Sequence, residues 1–288
     1  MRLVTVRTER GTSAGRVDGP TIVELAARDV REVLQRQAEG LSVPETGRQL
    51  DRASADLAPV IPAPGKIICV GHNYANHIKE MGRDLPSAPT LFAKYAGALI
   101  GPLDDIVLPP ESTQVDWEVE LALVIGTTVR RAKGDEAQAA VAAYTVCNDI
   151  SMRDWQSRTL QWLQGKTFES STPLGPEAVT ADELDASDLE VRCEVDGVVM
   201  QQARTSELVF TPGDLVAYAS TVITLEPGDV ILTGTPGGVG TARKPPVFLT
   251  AGSQVRTSIE GIGYLLNTCV AEVVDETPRA IDTASRRV

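Results

Sequence analysis

Histidine is nearly missing from this chain: 288 residues hold two, His72 and His77, both in the stretch GHNYANHIKEMG at 71–82. Three readings of that clustering compete, namely a metal site, an acid–base site and coincidence. Cysteine is also sparse. Cys69, Cys147, Cys193 and Cys269 are widely spaced in apolar, strand-like runs and form no CxxC pair. A four-cysteine zinc site lacks its short ligand pair, so reduced, buried thiols of a cytoplasmic protein are expected. No apolar run approaches the ~18 residues of a membrane span, and MRLVTVRTERG shows no apolar core of a secretory signal. Positive charge is short: 27 Lys and Arg face 39 Asp and Glu, a net charge of -12. That excess of acid argues against a nucleic-acid surface. It leaves room for an anionic small substrate wherever a few cations or a metal override the mean field.

What is present reads as an ordinary globular chain, 42% hydrophobic and 23% charged. Residues 1–58 are expected to form a small N-terminal domain, with LVTVRT as a strand, TIVEL as another and a helix within 26–39. PVIPAPGK, 59–66, with three prolines, reads as a linker or stiff entry strand into a larger domain over 59–288. There, Ile67–Val70 is a short strand, ANHIKEMG has room for one or two helical turns, and EVELALVIG is the clearest strand. An alanine-rich helix starts near Asp135, a candidate cap, and gives way to the strand YTVCNDI. Several more strands lie between 190 and 270. TPGD at 211–214 and EPGD at 226–229 read as similar turns. The last 18 or so residues are charged and polar and are expected to fray. The fold class expected is a mixed, β-rich α+β body with a few short helices.

The stretch VDWEVELALVIG, 115–126, asks a sharper question. Side chains alternate along a strand, so Glu118 and Glu120 share a face with Ala122 and Val124. Two like charges on an otherwise apolar strand either face solvent or hold something positive between them. Oxygen ligands would favour Mg²⁺, Mn²⁺ or Ca²⁺ over zinc. Asp149, closing the apolar run YTVCNDI, is a candidate third carboxylate, or else a cap for the helical turn after it. Cations lie close in sequence. Arg153 and Gln156 come just after Asp149, and Lys166 lies further on in LQGKTFES. Lys94 sits in the strand-like LFAKYAG, either as an edge gatekeeper, as a snorkelling side chain or as a counter-charge for an anionic substrate. The glycine-rich GTPGGVG, 234–240, fits neither the P-loop nor the dinucleotide signature. It is a tight hairpin, or a turn whose amides and Thr235 hydroxyl face a carboxylate.

Taken together, GHNYANHIKE (71–80), LFAKYAGALIGP (91–102), DWEVELALVIG (116–126), NDISMRDWQ (148–156), GKTFESSTPLGP (165–176) and GTPGGVG (234–240) resemble the fumarylacetoacetate hydrolase family, in family order and over about residues 60–270. The resemblance implies a β-roll catalytic domain behind a variable small domain. It implies that Glu118, Glu120 and Asp149 bind Mg²⁺ or Mn²⁺, and that His77 and Glu80 form a catalytic dyad on a short helix in a lid. It implies that Lys166 reaches towards the metal water and substrate. Tyr74, Lys94, Arg153, Gln156 and Thr235 are expected on the substrate side. A homodimer is implied as well.

The chemistry implied is that of a small 2-oxo acid. A pyruvyl group chelates the metal, and the enolate formed on C–C cleavage is stabilised there. His77 and Glu80, three residues apart, would share a helix face and activate a water. The leading expectation is therefore hydrolysis of a 3-acylpyruvate, such as fumarylpyruvate from aromatic-compound degradation. The alternative is decarboxylation of an oxaloacetate-type 2-oxo acid, or isomerisation of a 2-hydroxyhepta-2,4-diene-1,7-dioate, on the same site. The chain departs from family usage at His72, Asn76, Tyr95 and Glu169. These departures leave every implied ligand in place and bear on the substrate alone.

Overall fold

A computed structural model describes residues 1–75, 78 and 84–274. The dyad residues His77 and Glu80, the helical turns expected in ANHIKEMG and the frayed end expected beyond residue 274 therefore lie outside the described residues. The rest is a mixed, sheet-rich α+β fold. Its largest sheet has eleven strands. In spatial order ten of them are Glu45–Asp51, Thr21–Leu25, Gly11–Asp18, Arg2–Thr8, Thr172–Thr180, Val141–Asn148, Val119–Ile125, Val230–Leu232, Ile67–Gly71 and Thr90–Lys94. Leu99–Ile100 joins the side of Thr172–Thr180. A second sheet of five strands is built mainly from residues 190–271. The strands of the first 51 residues continue the large sheet through the antiparallel pairing of Arg2–Thr8 with Thr172–Thr180.

Val119–Ile125 is central, and every residue in it is buried. Alternation divides its side chains between two cores. Val119, Leu121, Leu123 and Ile125 join the larger cluster with Trp117, whereas Ala122 and Val124 join the second with Cys69 and Cys147. Each buried Leu, Val or Ile of this strand stabilises by roughly 1.5–3 kcal/mol. All four cysteines are free and buried.

Two local expectations change. TPGD at 211–214 is no turn: it opens the helix Pro212–Val222. Thr211 and Asp214 form a reciprocal capping box, and Pro212 sits in the first turn, where its missing N–H costs nothing. EPGD keeps its turn, closed by Asp229 accepting from the Glu226 N–H at 2.8 Å. The helix starting near 135 is short, Asp135–Ala139, and its cap is Gly134 without a side-chain bond. Among the described residues no helix is long and apolar enough to cross a membrane.

Candidate active site

The pairing of Val119–Ile125 with Val141–Asn148 sets the site. Val119 lies opposite Asn148 and Glu120 opposite Cys147. Just beyond the ladder, the Asp149 N–H donates to the Glu118 carbonyl at 2.8 Å. Two strand ends thus bring Glu118, Glu120 and Asp149 together, and one oxygen from each lies within 4.8 Å of the others. All three are buried, so these residues do not form a solvated edge strand.

Three cations meet the cluster. Lys166 Nζ bridges Glu118 Oε2 at 2.6 Å and Asp149 Oδ2 at 2.7 Å. Lys94 belongs to the edge strand Thr90–Lys94, yet it is 3% exposed. Its Nζ turns inward to Asp149 Oδ1 at 2.5 Å and the Ile150 carbonyl at 3.2 Å. It is therefore a counter-charge held inside the fold, and it does not line the cavity. Arg153 spans two acids, Nη1 reaching Glu118 Oε1 at 2.7 Å and Nε reaching Asp116 Oδ2 at 2.8 Å. Gln156 Oε1 accepts from Arg153 Nη1 at 3.0 Å. Gly165 makes this possible: a Cβ there would fall 2.4 Å from the Gln156 backbone nitrogen, so only glycine lets the two short helices Arg153–Gln156 and Leu163–Lys166 pack this closely.

The ion pairs are unequal. Burial works to raise the Glu118 carboxyl, but Lys166 and Arg153 outweigh it and push it down to about 2. Burial works to lower the Lys166 ammonium, but Asp149 and Glu118 outweigh it and raise it. Glu120 stands apart. Among the described residues it has no ion pair, and one of its oxygens, Oε2, accepts the Gly234 N–H at 2.7 Å. Burial first, then the charges of Asp149 and Glu118, push its carboxyl well above the ordinary range. A divalent cation fits this donor set. Three buried carboxylate oxygens converge, and one carboxylate lacks a counter-charge, the arrangement that hard, oxygen-seeking ions such as Mg²⁺ or Mn²⁺ satisfy.

A cavity of about 660 Å³ opens over the cluster. Glu118, Glu120, Arg153, Gln156, Lys166 and Thr235 line it, while Asp149 lies beneath. Thr235 has little donor capacity to spare: its Oγ1 donates to the Val119 carbonyl at 3.0 Å and accepts from Gln201 Nε2 at 2.8 Å. Tyr74 does not line the cavity. It is 1% exposed, and its buried hydroxyl has no partner among the described residues. Tyr95 is exposed and away from the lining, so its departure from family usage does not reshape this wall.

Sequence reasoning misses Asp116. It is fully buried, and Oδ1 accepts the N–H of Trp117 and of Gly240 at 2.8 and 2.7 Å, while Oδ2 accepts the N–H of Thr241 at 3.0 Å and Arg153 Nε. One carboxylate thus ties the glycine-rich loop to the arginine beside Glu118. The signal is there, in acids at 116, 118 and 120 with a period of two. Asn73 and Gln201 are missed as well; Asn73 bonds Thr233 and Phe210 and anchors the same loop. Asp116→Ala is expected to lower unfolding stability by roughly 3–5 kcal/mol, the cost of stranding a buried charge partner. Denaturant unfolding checks this, and an unshifted midpoint would remove the assigned role.

Comparison with known proteins agrees with this geometry. The model of the fumarylacetoacetate (FAA) hydrolase C-terminal domain matches residues 66–270. The chain belongs to the fumarylacetoacetate hydrolase family, a family of enzymes. A rat protein named mitochondrial oxaloacetate tautomerase Fahd2a is 43% identical over 278 residues, covering 92% of this chain and 87% of the rat protein. A fumarylacetoacetate hydrolase from the psychrophile Exiguobacterium antarcticum superposes with a TM-score of 0.86 at 33% identity, over 94% of this chain and all of the other. The 2-hydroxyhepta-2,4-diene-1,7-dioate isomerase of Mycobacterium marinum superposes with a TM-score of 0.80 at 36% identity, over 95% of this chain and all of the other. The cytoplasmic location expected from the cysteines is overturned, since the rat relative and its counterparts in cow and human are all named mitochondrial. Buried free thiols are a poor guide because burial alone protects them, whatever the compartment.

Proposed function

We propose that this chain is a divalent-metal-dependent tautomerase of a compact 2-oxo diacid of the oxaloacetate class. One observation carries the reading: three converging buried carboxylates, one without a counter-charge, in a chain 43% identical to a protein named for oxaloacetate tautomerisation. The name of the M. marinum isomerase supports it, because it too denotes rearrangement without loss of a fragment.

Glu118, Glu120 and Asp149 would hold the Mg²⁺ or Mn²⁺, which when bound supplies Lewis-acid polarisation of the 2-oxo group and stabilisation of the enolate. Arg153 donates to the substrate carboxylate. Its Nη2 is buried with no partner while the other two nitrogens are committed to Asp116, Glu118 and Gln156, and a guanidinium N–H pairs well with a carboxylate. Gln156 uses its oxygen on Arg153, so its amide nitrogen is the end left for substrate. Lys166 stays charged against two acids and acts as a fixed positive charge, not as a base. His77 moves the proton between C3 and the enol oxygen, with Glu80 orienting the imidazole. The reading includes a homodimer, which light scattering checks.

Hydrolysis of an acylpyruvate is the second reading, supported by the name of the E. antarcticum neighbour. The two separate in one panel. Oxaloacetate enol, fumarylpyruvate and acetylpyruvate are each given to the protein with Mg²⁺, with Mn²⁺ and with chelator. Metal-dependent loss of the enol absorbance, without matching pyruvate or CO₂, is expected. Rapid pyruvate release from an acylpyruvate, with no acceleration of ketonisation, would overturn the tautomerase.

A further inference from the structure

One wall of the cavity takes no part in holding the metal or moving the proton. It consists of Trp162, just ahead of the short helix Leu163–Lys166, Phe92 in the strand Thr90–Lys94 and His72 directly after the strand Ile67–Gly71. The wall begins beside the acid cluster, with Lys166 Nζ 5.2 Å from the centre of the Phe92 ring. Phe92 meets Trp162 edge-on, ring centres 5.4 Å apart at 67°. His72 meets Trp162 the same way, at 5.4 Å and 80°. Two edge-to-face contacts hold one indole, the geometry aromatic pairs prefer. The backbone beneath makes way for it. A Cβ on Gly71 would fall 2.4 Å from Trp162 Cζ3 and 2.9 Å from Cη2, so the ring lies where a side chain at 71 would be. His72 takes a left-handed backbone, φ 55°, uncommon outside glycine, and so keeps its ring against the indole.

Charge is one-sided as well. Arg153 and Lys166 are the only Lys or Arg among the described lining residues, and both stand at the acid cluster. The Trp162 side, with Phe92, Leu91, Leu160 and Thr90, offers no Lys or Arg to a distant carboxylate.

We propose that Trp162 is a specificity-determining residue that limits the length of the 2-oxo diacid the site accepts, with Gly71, His72 and Phe92 fixing its ring. This rests on the 2-oxo diacid reading of the site. A diacid short enough to keep both carboxylates near Arg153 and Lys166 fits the space. A longer one runs into the indole and carries its second carboxylate where no Lys or Arg of the described lining answers it.

The test is a homologous series of 2-oxo diacids one methylene apart, 2-oxoglutarate, 2-oxoadipate and 2-oxopimelate, titrated calorimetrically into the Mn²⁺-loaded protein. In the wild type, affinity is expected to fall along the series. Trp162→Ala should weaken that fall about tenfold, within the range a hydrophobic wall gives per methylene, with Mn²⁺ affinity unchanged. Trp162→Phe should keep most of the wild-type preference. Gly71→Ala, which pushes the indole off its strand, should change the preference without touching the acids. An identical fall along the series in folded wild type and folded Trp162→Ala would overturn the proposal, as would loss of the preference in Trp162→Phe. Because binding is read, a wild type that fails to tautomerise oxaloacetate would sink the functional reading while leaving the wall to be judged by its own ratio.

Discussion

Glu118→Gln and Glu120→Gln, just ahead of the strand Val119–Ile125 and within it, are expected to move the stability of the metal-free protein in opposite directions. Glu118 neutralises Lys166 and Arg153 at 2.6 and 2.7 Å in a buried setting. Making it an amide leaves two buried cations with one acid fewer, a loss of roughly 3–5 kcal/mol. Glu120 has the reverse problem. It faces Glu118 and Asp149, and the Lys166 charge and an N–H from Gly234 offset burial and that repulsion only in part. An amide there keeps an oxygen for Gly234 and offers hydrogens to the neighbouring acids, a gain of roughly 1–3 kcal/mol at charged acceptors. Both variants should lose Mn²⁺ affinity by at least ~100-fold, since even residues behind the ligands cost up to that much. Thermal melts with and without Mn²⁺, alongside calorimetric titration, read both effects. A metal-free Glu120→Gln that melts below the wild type would show that its charge is already matched. Retained Mn²⁺ affinity in either variant would remove the metal assignment.

The second large effect expected is on turnover. His77→Ala should cut kcat by roughly 10²–10⁴-fold, the usual worth of a positioned acid–base group, while Mn²⁺ affinity stays at the wild-type value. The sequence spacing supports this, and several of the cavity's charged groups are poorly suited to the task. Glu118, held down near 2, and Lys166, raised, do not exchange protons near neutral pH. Arg153 is raised as well. His72 remains as the other imidazole, and its ring braces Trp162. His72→Ala is therefore expected to cost less than about tenfold in kcat and to act on substrate choice. If His72→Ala lost the larger factor and His77→Ala the smaller, the proton would travel through the wall residue, and the dyad would fall.

These residues differ in how far the sequence alone reveals them. The strand Val119–Ile125 is legible because a buried central strand is apolar on both faces, and a glutamate within such a run, with a second just ahead of it, violates that pattern visibly. Asp149 is legible as the polar end of an apolar run. Thr172–Thr180 is not, because Pro173 and Pro176 argue against a central strand. The structure accommodates Pro176 where pairing with Val141–Asn148 slips, between Tyr144 and Val146, and Pro173 beside Ile100 of the short strand Leu99–Ile100. The helix at 212–222 is hidden because Thr-Pro-Gly-Asp serves equally as a turn and as a capped helix start; the apolar residues after it, Leu215, Val216 and Ala219, decide between the two by burying one face. The roles of Lys94, Asp116 and Trp162 depend on partners distant in sequence. Lys94 meets Asp149, 55 residues on, and Asp116 meets Gly240, 124 residues on. No local pattern encodes such pairs.

That same spread governs the order in which the chain can assemble. The acid strand is made long before its last partners: Gly234 trails Glu120 by 114 residues, and Arg2–Thr8 waits for Thr172–Thr180 to close its outer edge. During synthesis the glutamates therefore emerge with none of their later shielding, and non-local pairing of this kind is slow to form. Their mutual repulsion then has a second consequence. It keeps an otherwise wholly apolar strand from pairing prematurely with copies of itself, as a charge placed in an aggregation-prone segment does. The glutamates that line the cavity of the finished protein also guard the nascent one.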